Sequence, residues 1–348
     1  MLRLMLFGLG TVGQGLITLL QRQKLRESMP GAARFRVVGV QTGARGSLYH
    51  PQGLNLDALA ELGRERSLAE YPEGLGLRRD LDPFELCSIL PADIHVEMGP
   101  GNLLDGQPAL DRCRLALKAS RHLVLADKAP ALFGWNELED LAVSRGRLLR
   151  AEATVFSGTP VLSLLREGLA GQDVPGLRGI LNGTTNYLLA ELEAGVPWEK
   201  ALEAARELGY LEADPRADVE GWDARSKVMI LARVIHGQEL PASAVRTSGI
   251  VGVTAEKLLA AREKGGALKL IARLNKVGDS LEASVGLEEL APGDLLASVN
   301  GNENALELTT QPLGRVLLRG PGAGAAQTAS GILADLLNIA RFCGEMRH

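Results

Sequence analysis

The chain has 348 residues, enough for two domains and a large core. Its formal charge of −4 comes from 38 basic and 42 acidic residues that are interspersed along the sequence. That pattern excludes the electrostatic footprint of a nucleic-acid or membrane-surface protein and leaves a small molecule as the expected partner.

The amino-terminal MLRLMLFGLG has no small-residue cleavage site and no apolar run near the length of a membrane span, so we expect a cytoplasmic protein without a signal peptide. Residues 2–7, LRLMLF, read as a buried parallel strand running into Gly8-Leu9-Gly10-Thr11-Val12-Gly13 and a helical pattern through Leu20. Strand, GxGxxG, then helix is the context of a dinucleotide site. Gly8 allows the tight turn and Gly10 lets a pyrophosphate approach backbone N–H groups; Thr11 and Val12 open the helix, and Gly13 lets it pack on the strand. The competing reading is a glycine-rich turn without a ligand. A second strand, FRVVGVQ at 35–41, leads into Gln41-Thr42-Gly43-Ala44-Arg45 with no acid. An acid there would accept from the ribose 2′-OH of NAD. Its absence, with Arg45 able to pair a 2′-phosphate, points to NADP(H) over NAD(H), unless Arg45 is simply solvated.

From Leu54 to Leu81 the pattern is helical and carries no evident chemistry. DIHVEM at 93–98 reads as a strand, and Gly99-Pro100-Gly101-Asn102 follows it at the end where open α/β sheets bind ligands. A helix over 108–120 precedes the strand HLVLAD, and Lys128 comes directly after it, facing the same crevice. A helix at 135–144 and a strand at 147–156, RLLRAEATVF, complete a doubly wound pattern that closes near residue 150. Cys87, Cys113 and Cys343 are odd in number without a CxxC pair, and the five histidines lack metal-ligand spacing, so we expect neither a disulfide framework nor a zinc site.

The second region opens with the helix VLSLLREGL and a strand through LRGILNGTTNYLL at 177–189. Asn182, Gly183, Thr184, Thr185 and Asn186 form either a grip for a polar small molecule or an ordinary polar turn capping a helix. A helix at 198–208 leads into GYLEADPRADVEGWDARSK at 209–227. If a helix starts near Asp218, Asp223 and Lys227 lie four apart on one face. They are either an exposed pair worth about 0.3–0.5 kcal/mol or, since the apolar VMILARVI suits a buried helix, a carboxylate and an amine aimed at a ligand. Segments 281–290, 295–299, 305–310 and 314–320 read as strands of a mixed or antiparallel sheet. Gly320-Pro321-Gly322-Ala323-Gly324 then precedes a final helix, where Gly324 suits an anion or a close backbone approach. The expected fold is α/β, a Rossmann-type doubly wound nucleotide-binding domain (1–150, completed by 320–348) plus an α+β substrate-binding and dimerisation domain with a mixed sheet (151–319). Hydride transfer to a carbonyl creates an alkoxide that must be protonated, so a lysine is the expected acid. Carboxylates such as Glu212 and Asp223 suit a substrate bearing an ammonium group.

Along essentially its whole length the sequence resembles the homoserine dehydrogenase family. The carrying motifs are GLGTVGQG at 8–15, ADKAP at 126–130, EATVFSGTPV at 152–161, NGTTNYLL at 182–189, the 209–227 segment and GPGAGAAQTASGILADLL at 320–337. The resemblance implies NAD(P)-dependent interconversion of homoserine and aspartate 4-semialdehyde, on the route to threonine and methionine. It also implies a homodimer of the short form, without an aspartate kinase or a carboxy-terminal regulatory domain. Lys227 matches the family's proton donor and Lys128 a second lysine between nicotinamide and substrate. Glu212 and Asp223 match substrate-binding carboxylates, and Thr184 lies in a loop that touches substrate. Glu152, Val155, Ser157 and Thr159 match a loop whose main-chain oxygens hold a structural sodium ion in some members. Two departures stand out. Asp127 replaces the usual Asn beside Lys128 and should favour the lysine's charged form, and Gly99-Pro100 replaces a Thr-Pro pair near the nicotinamide. The remaining alternatives are another amino-acid or semialdehyde oxidoreductase on the same fold, or a non-catalytic NADP-binding sensor. Aspartate-semialdehyde dehydrogenase chemistry needs a nucleophilic cysteine beside a base, a setting neither Cys87 nor Cys113 offers.

Overall fold

The computed structural model describes residues 1–24, 34–211 and 214–344. The chain divides into two compact units, Met1–Gly158 with Ala325–His348, and Thr159–Gly324. Among the described residues of the first unit, one sheet is built from β1 (Leu2–Phe7), β2 (Phe35–Thr42), β3 (Gly46–Tyr49), β4 (Arg78–Arg79), β5 (Ile94–Glu97), β6 (His122–Leu125) and β7 (Leu149–Arg150). Their order is β4-β3-β2-β1-β5-β6-β7. The run from β2 through β7 is parallel, and β3 and β4 add an antiparallel edge. Parallel strands covered on two faces read as continuous apolar runs, as β1 does: Leu4, Met5, Leu6 and Phe7 are all buried. The helices Thr11–Lys24 and Ala325–Phe342 cover one face, where Leu16, Ile17, Ile332, Leu336 and Ile339 share a core with Leu4 and Leu6. On the other face Met5 and Phe7 pack with Val38, Leu86 and Cys87.

The sheet of the second unit contains β8 (Asp173–Ile180), β9 (Val245–Thr247), β10 (Ala267–Val277), β11 (Ser280–Leu290), β12 (Glu303–Gln311) and β13 (Gly314–Pro321), in the order β13-β12-β8-β10-β11-β9. It is antiparallel except where β9 joins β11, so the expected mixed sheet is present. The helices Gly183–Glu193 and Trp222–His236 pack on it. Ile180, Ile271, Leu290, Leu296 and Ala305 form part of its core.

Several local expectations change. The stretch from Leu54 to Leu81 is not one helix but the helix Leu56–Leu62, a short turn Leu68–Glu70 closed by a Ser67–Glu70 capping box, and β4. The strand expected over 147–156 ends at Arg150, and Glu152–Thr154 is a helical turn whose Glu152 N–H donates to Asp335 Oδ2 at 2.9 Å. The strand over 177–189 ends at Ile180, because the Asn182 side chain accepts from Thr185 N–H at 2.8 Å and caps a helix. Residues 295–298 are a turn capped by Asp294 rather than a strand. Nor does one helix begin near Asp218. A single turn, Arg216–Val219, is broken by Gly221 at φ 82, and the main helix starts at Trp222. Among the described residues no helix is long and apolar enough to cross a membrane.

Candidate active site

In the first unit the strand order reverses between β1 and β5, and ligands of open α/β sheets bind outside the carboxyl ends at such a point. Phe7 is in register with Gln41 on one side and Glu97 on the other, and Glu97 with Leu125, so Gly8, Thr42, Met98 and Ala126 follow at one edge. Gly8 adopts φ 107, and a Cβ on it would lie 2.6 Å from Met98 O. A Cβ on Gly13 would lie 2.8 Å from Gly8 O, so the helix start presses directly on the turn. Among the described residues, nothing lies within 4 Å of the corresponding point on Gly10. That opening borders the exposed Thr11 and the half-buried Val12, at the first-turn N–H groups that have no intrahelical acceptor. The cradle fits a dinucleotide pyrophosphate.

Arg45 is not merely solvated. Its guanidinium donates to Leu9 O at 2.7 Å and to Gly63 O at 3.1 Å, which lays it against the glycine turn. Arg64, in the stretch where the sequence offered no chemistry, donates to Thr11 Oγ1 at 3.0 Å. Two guanidinium groups therefore flank this turn.

Behind the crevice, Glu97 is 0% exposed and takes two bonds from Arg112, at 2.8 and 3.0 Å. Burial works against its charge, but the His95 and Arg112 bonds outweigh it and hold the carboxyl below the usual range. Burial pushes His95 toward its neutral form. The structure does bring His95, Glu97 and Cys113 together in an arrangement that could offer three metal ligands, which spacing did not suggest. Arg112 already fills the Glu97 carboxylate, so the donor set does not suit a cation. Gly99 rests on this pair, since a Cβ there would lie 3.1 Å from Glu97 Oε1. Burial raises the Cys87 thiol to about 12 and Cys113 well above its ordinary value, so neither can act as a nucleophile.

Lys128 opens the helix Lys128–Ser144 after β6, a position where the helix dipole disfavours a cation. Asp127 caps that helix, its Oδ1 accepting from Ala129 N–H at 2.8 Å, while its buried Oδ2 has no hydrogen-bond partner among the described residues. Burial first, and Glu97 nearby, raise this carboxyl to about 6. The departure at 127 thus strains the acid itself.

In the second unit Lys227 is 5% exposed; its Nζ donates to Leu181 O at 2.6 Å and pairs with Asp223 Oδ2 at 2.8 Å. The i,i+4 pair is therefore buried, not a solvated surface pair. Asn182 Nδ2 donates to Asp223 Oδ2 at 2.9 Å and to Asp218 Oδ1 at 2.6 Å. Asn182 belongs to the polar run read from the sequence as either a ligand grip or a helix cap, whereas Asp218 was not singled out as a site residue. Thr184 Oγ1 donates to Tyr210 O at 2.8 Å, tying the 209–227 segment to the helix start. Glu212 lies outside the described residues. Gly324 adopts φ 127 immediately before the final helix. Of the four loop residues, Glu152, Val155 and Ser157 belong to the first unit and Thr159 to the second. Ser157 sits at φ 58 with its Oγ 2.8 Å from Thr328 Oγ1, and Thr159 O accepts from Val161 N–H at 2.9 Å.

A dinucleotide cradle at the switch point, and a separate unit with a buried amine among carboxylates, place the chain among the NAD(P)-dependent oxidoreductases. The family model for homoserine dehydrogenase matches residues 160–337. The chain belongs to the homoserine dehydrogenase family. It is 35% identical over 339 residues to the NAD(+)-dependent homoserine dehydrogenase of Pseudomonas canavaninivorans, covering 97% of this chain and 96% of that one. It is similar to the crystal structure of a putative homoserine dehydrogenase from Archaeoglobus fulgidus, with TM-score 0.83 and 33% identity over 97% of this chain and 99% of that one. A hyperthermophilic archaeal homoserine dehydrogenase in complex with NADPH matches with TM-score 0.80 and 26% identity, over 98% of each chain.

Proposed function

We propose that the protein interconverts L-homoserine and L-aspartate 4-semialdehyde with Lys227 as the proton-transfer group, a step toward threonine and methionine in the cytoplasm. The observation that carries the assignment of the site is the buried Lys227 amine held beside Asp223. When bound, the nicotinamide supplies or accepts the hydride. Lys227 protonates the oxygen of the semialdehyde carbonyl in reduction and takes the hydroxyl proton in oxidation. Asp218, Asp223 and Glu212 receive the substrate ammonium, and Thr184 holds the segment that carries them. Lys128, which opens the helix following β6, is assigned to the nicotinamide side in this reading. The main-chain oxygens of Glu152, Val155, Ser157 and Thr159 form a sodium loop in this reading. Homodimer formation through the second unit, whose edge strand β13 exposes Arg315, Leu317 and Arg319, belongs to the same proposal.

The test is homoserine oxidation and semialdehyde reduction by the full chain, with each coenzyme in parallel. Turnover in either direction supports the reading; coenzyme binding without turnover favours the sensor, to which the departures at Asp127 and Gly99 would then belong. For coenzyme choice we propose NADP(H), supported by Arg45 and Arg64 at the glycine turn and by the absence of an acid in residues 41–45. Arg45→Ala should lower kcat/KM for NADPH about tenfold relative to NADH, the worth of one charge-assisted bond to a phosphate. An unchanged ratio would return Arg45 to a purely structural role.

A further inference from the structure

We infer that Asn182 is a positioning residue of the reaction, one amide holding Asp218 and Asp223 side by side at the Lys227 amine. The inference rests on the reading of that cluster as the substrate site. Asn182 is 4% exposed, and its two polar atoms do separate work. Oδ1 accepts from Thr185 N–H at 2.8 Å and caps the helix Gly183–Glu193. Nδ2 has two hydrogens, and the two carboxylates take them, at 2.6 and 2.9 Å.

The capping role alone does not call for asparagine, since serine or aspartate would cap as well. The bridge does. Two carboxylates drawn to one point repel, and because Lys227 already offsets Asp223, a second cation between them would leave no net negative charge for a substrate ammonium. A neutral amide satisfies one oxygen of each acid and leaves their charge in place. Asp223 Oδ2 also pairs with Lys227, whose Nζ donates to the carbonyl of Leu181, the residue just before Asn182. Asn304 Nδ2 donates to the same carbonyl at 3.2 Å, which pins this piece of backbone from the β12 side. Substitution at 182 should therefore alter the side-chain bridge more than the path of the chain.

The experiment separates bridge from cap. Asn182→Ser keeps a capping oxygen and loses the donor. Asn182→Asp keeps the shape and the cap but adds a third carboxylate. In the full chain we expect either variant to melt within about 5 °C of wild type and to bind NADPH unchanged by fluorescence titration. The KM for homoserine should rise about tenfold in Asn182→Ser and about a hundredfold in Asn182→Asp, with kcat falling less than KM rises. Wild-type KM in Asn182→Ser overturns the inference. So does a loss that tracks weaker NADPH binding or failure to fold, since the residue would then be only a cap. Lys227→Met run alongside distinguishes the two levels: if it retains full rate the site reading itself is wrong, whereas an inactive Lys227→Met beside a normal Asn182→Ser removes only the role of Asn182.

Discussion

Lys227→Met is expected to lower kcat about a thousandfold in the two directions while leaving NADPH binding intact, in line with the loss of a positioned general acid–base. Methionine retains most of the apolar stem, which suits a side chain buried on the helix Trp222–His236 beside Val228 and Leu231. What it removes is the proton and the charge opposite Asp223. Lys227→Arg should recover little, because a planar guanidinium cannot reproduce the point donor that Leu181 O and Asp223 Oδ2 hold at 2.6 and 2.8 Å. Steady-state rates with each variant, paired with coenzyme titrations, check this. A Lys227→Met rate within tenfold of wild type would transfer the proton step to another group, with Lys128 the first to examine.

The second large effect lies in stability rather than rate. Asp127 titrates at about 6 in the folded protein against 3.8 ordinarily, so the native state holds its proton more tightly than the unfolded chain does. Below pH 3.8 the group is neutral in either state and costs nothing. As pH rises from there the unfolded chain ionises first and stability falls, and above about 6 the whole penalty is present. That penalty is on the order of 3 kcal/mol. An asparagine in its place would keep the cap on Ala129 N–H and bring no charge to be desolvated. Urea unfolding should therefore show Asp127→Asn more stable than wild type by about 2–3 kcal/mol at pH 7.5, with the gain shrinking through pH 6 and absent near pH 4. A pH-independent difference, or a less stable variant, would mean that the carboxylate has a partner worth more than its burial.

What could be read from the sequence and what could not have separate physical causes. The glycines at 8, 10 and 13 were legible because each answers a local backbone demand, a turn, an open approach and a helix contact. The spacing of Asp223 and Lys227 was legible because it is helical, although the helix starts after Gly221 and not near Asp218. Strand β10 was passed over because its pattern holds a lysine at a buried position: Lys269 donates to Asn186 Oδ1 at 2.9 Å and Val299 O at 2.7 Å, partners that only the fold supplies. The bridge from Asn182 to Asp218 joins residues 36 apart in the chain, and no local pattern announces such a contact. Arg64 escaped notice because its stretch has helical periodicity, which the capped turn at Ser67 and the strand β4 interrupt.

The helix Ala325–Phe342 contributes Ile332, Leu336 and Ile339 to a core that begins at Leu2. During synthesis the whole of Thr159–Gly324 leaves the ribosome before that helix does. Domains otherwise tend to fold from the amino terminus onward, but here the inserted unit is free to fold first. Until the final helix arrives, Leu16 and Ile17 lack the part of their core that Ile332, Leu336 and Ile339 supply. The core of the first unit is therefore completed by a segment that follows the whole of the second unit in the chain.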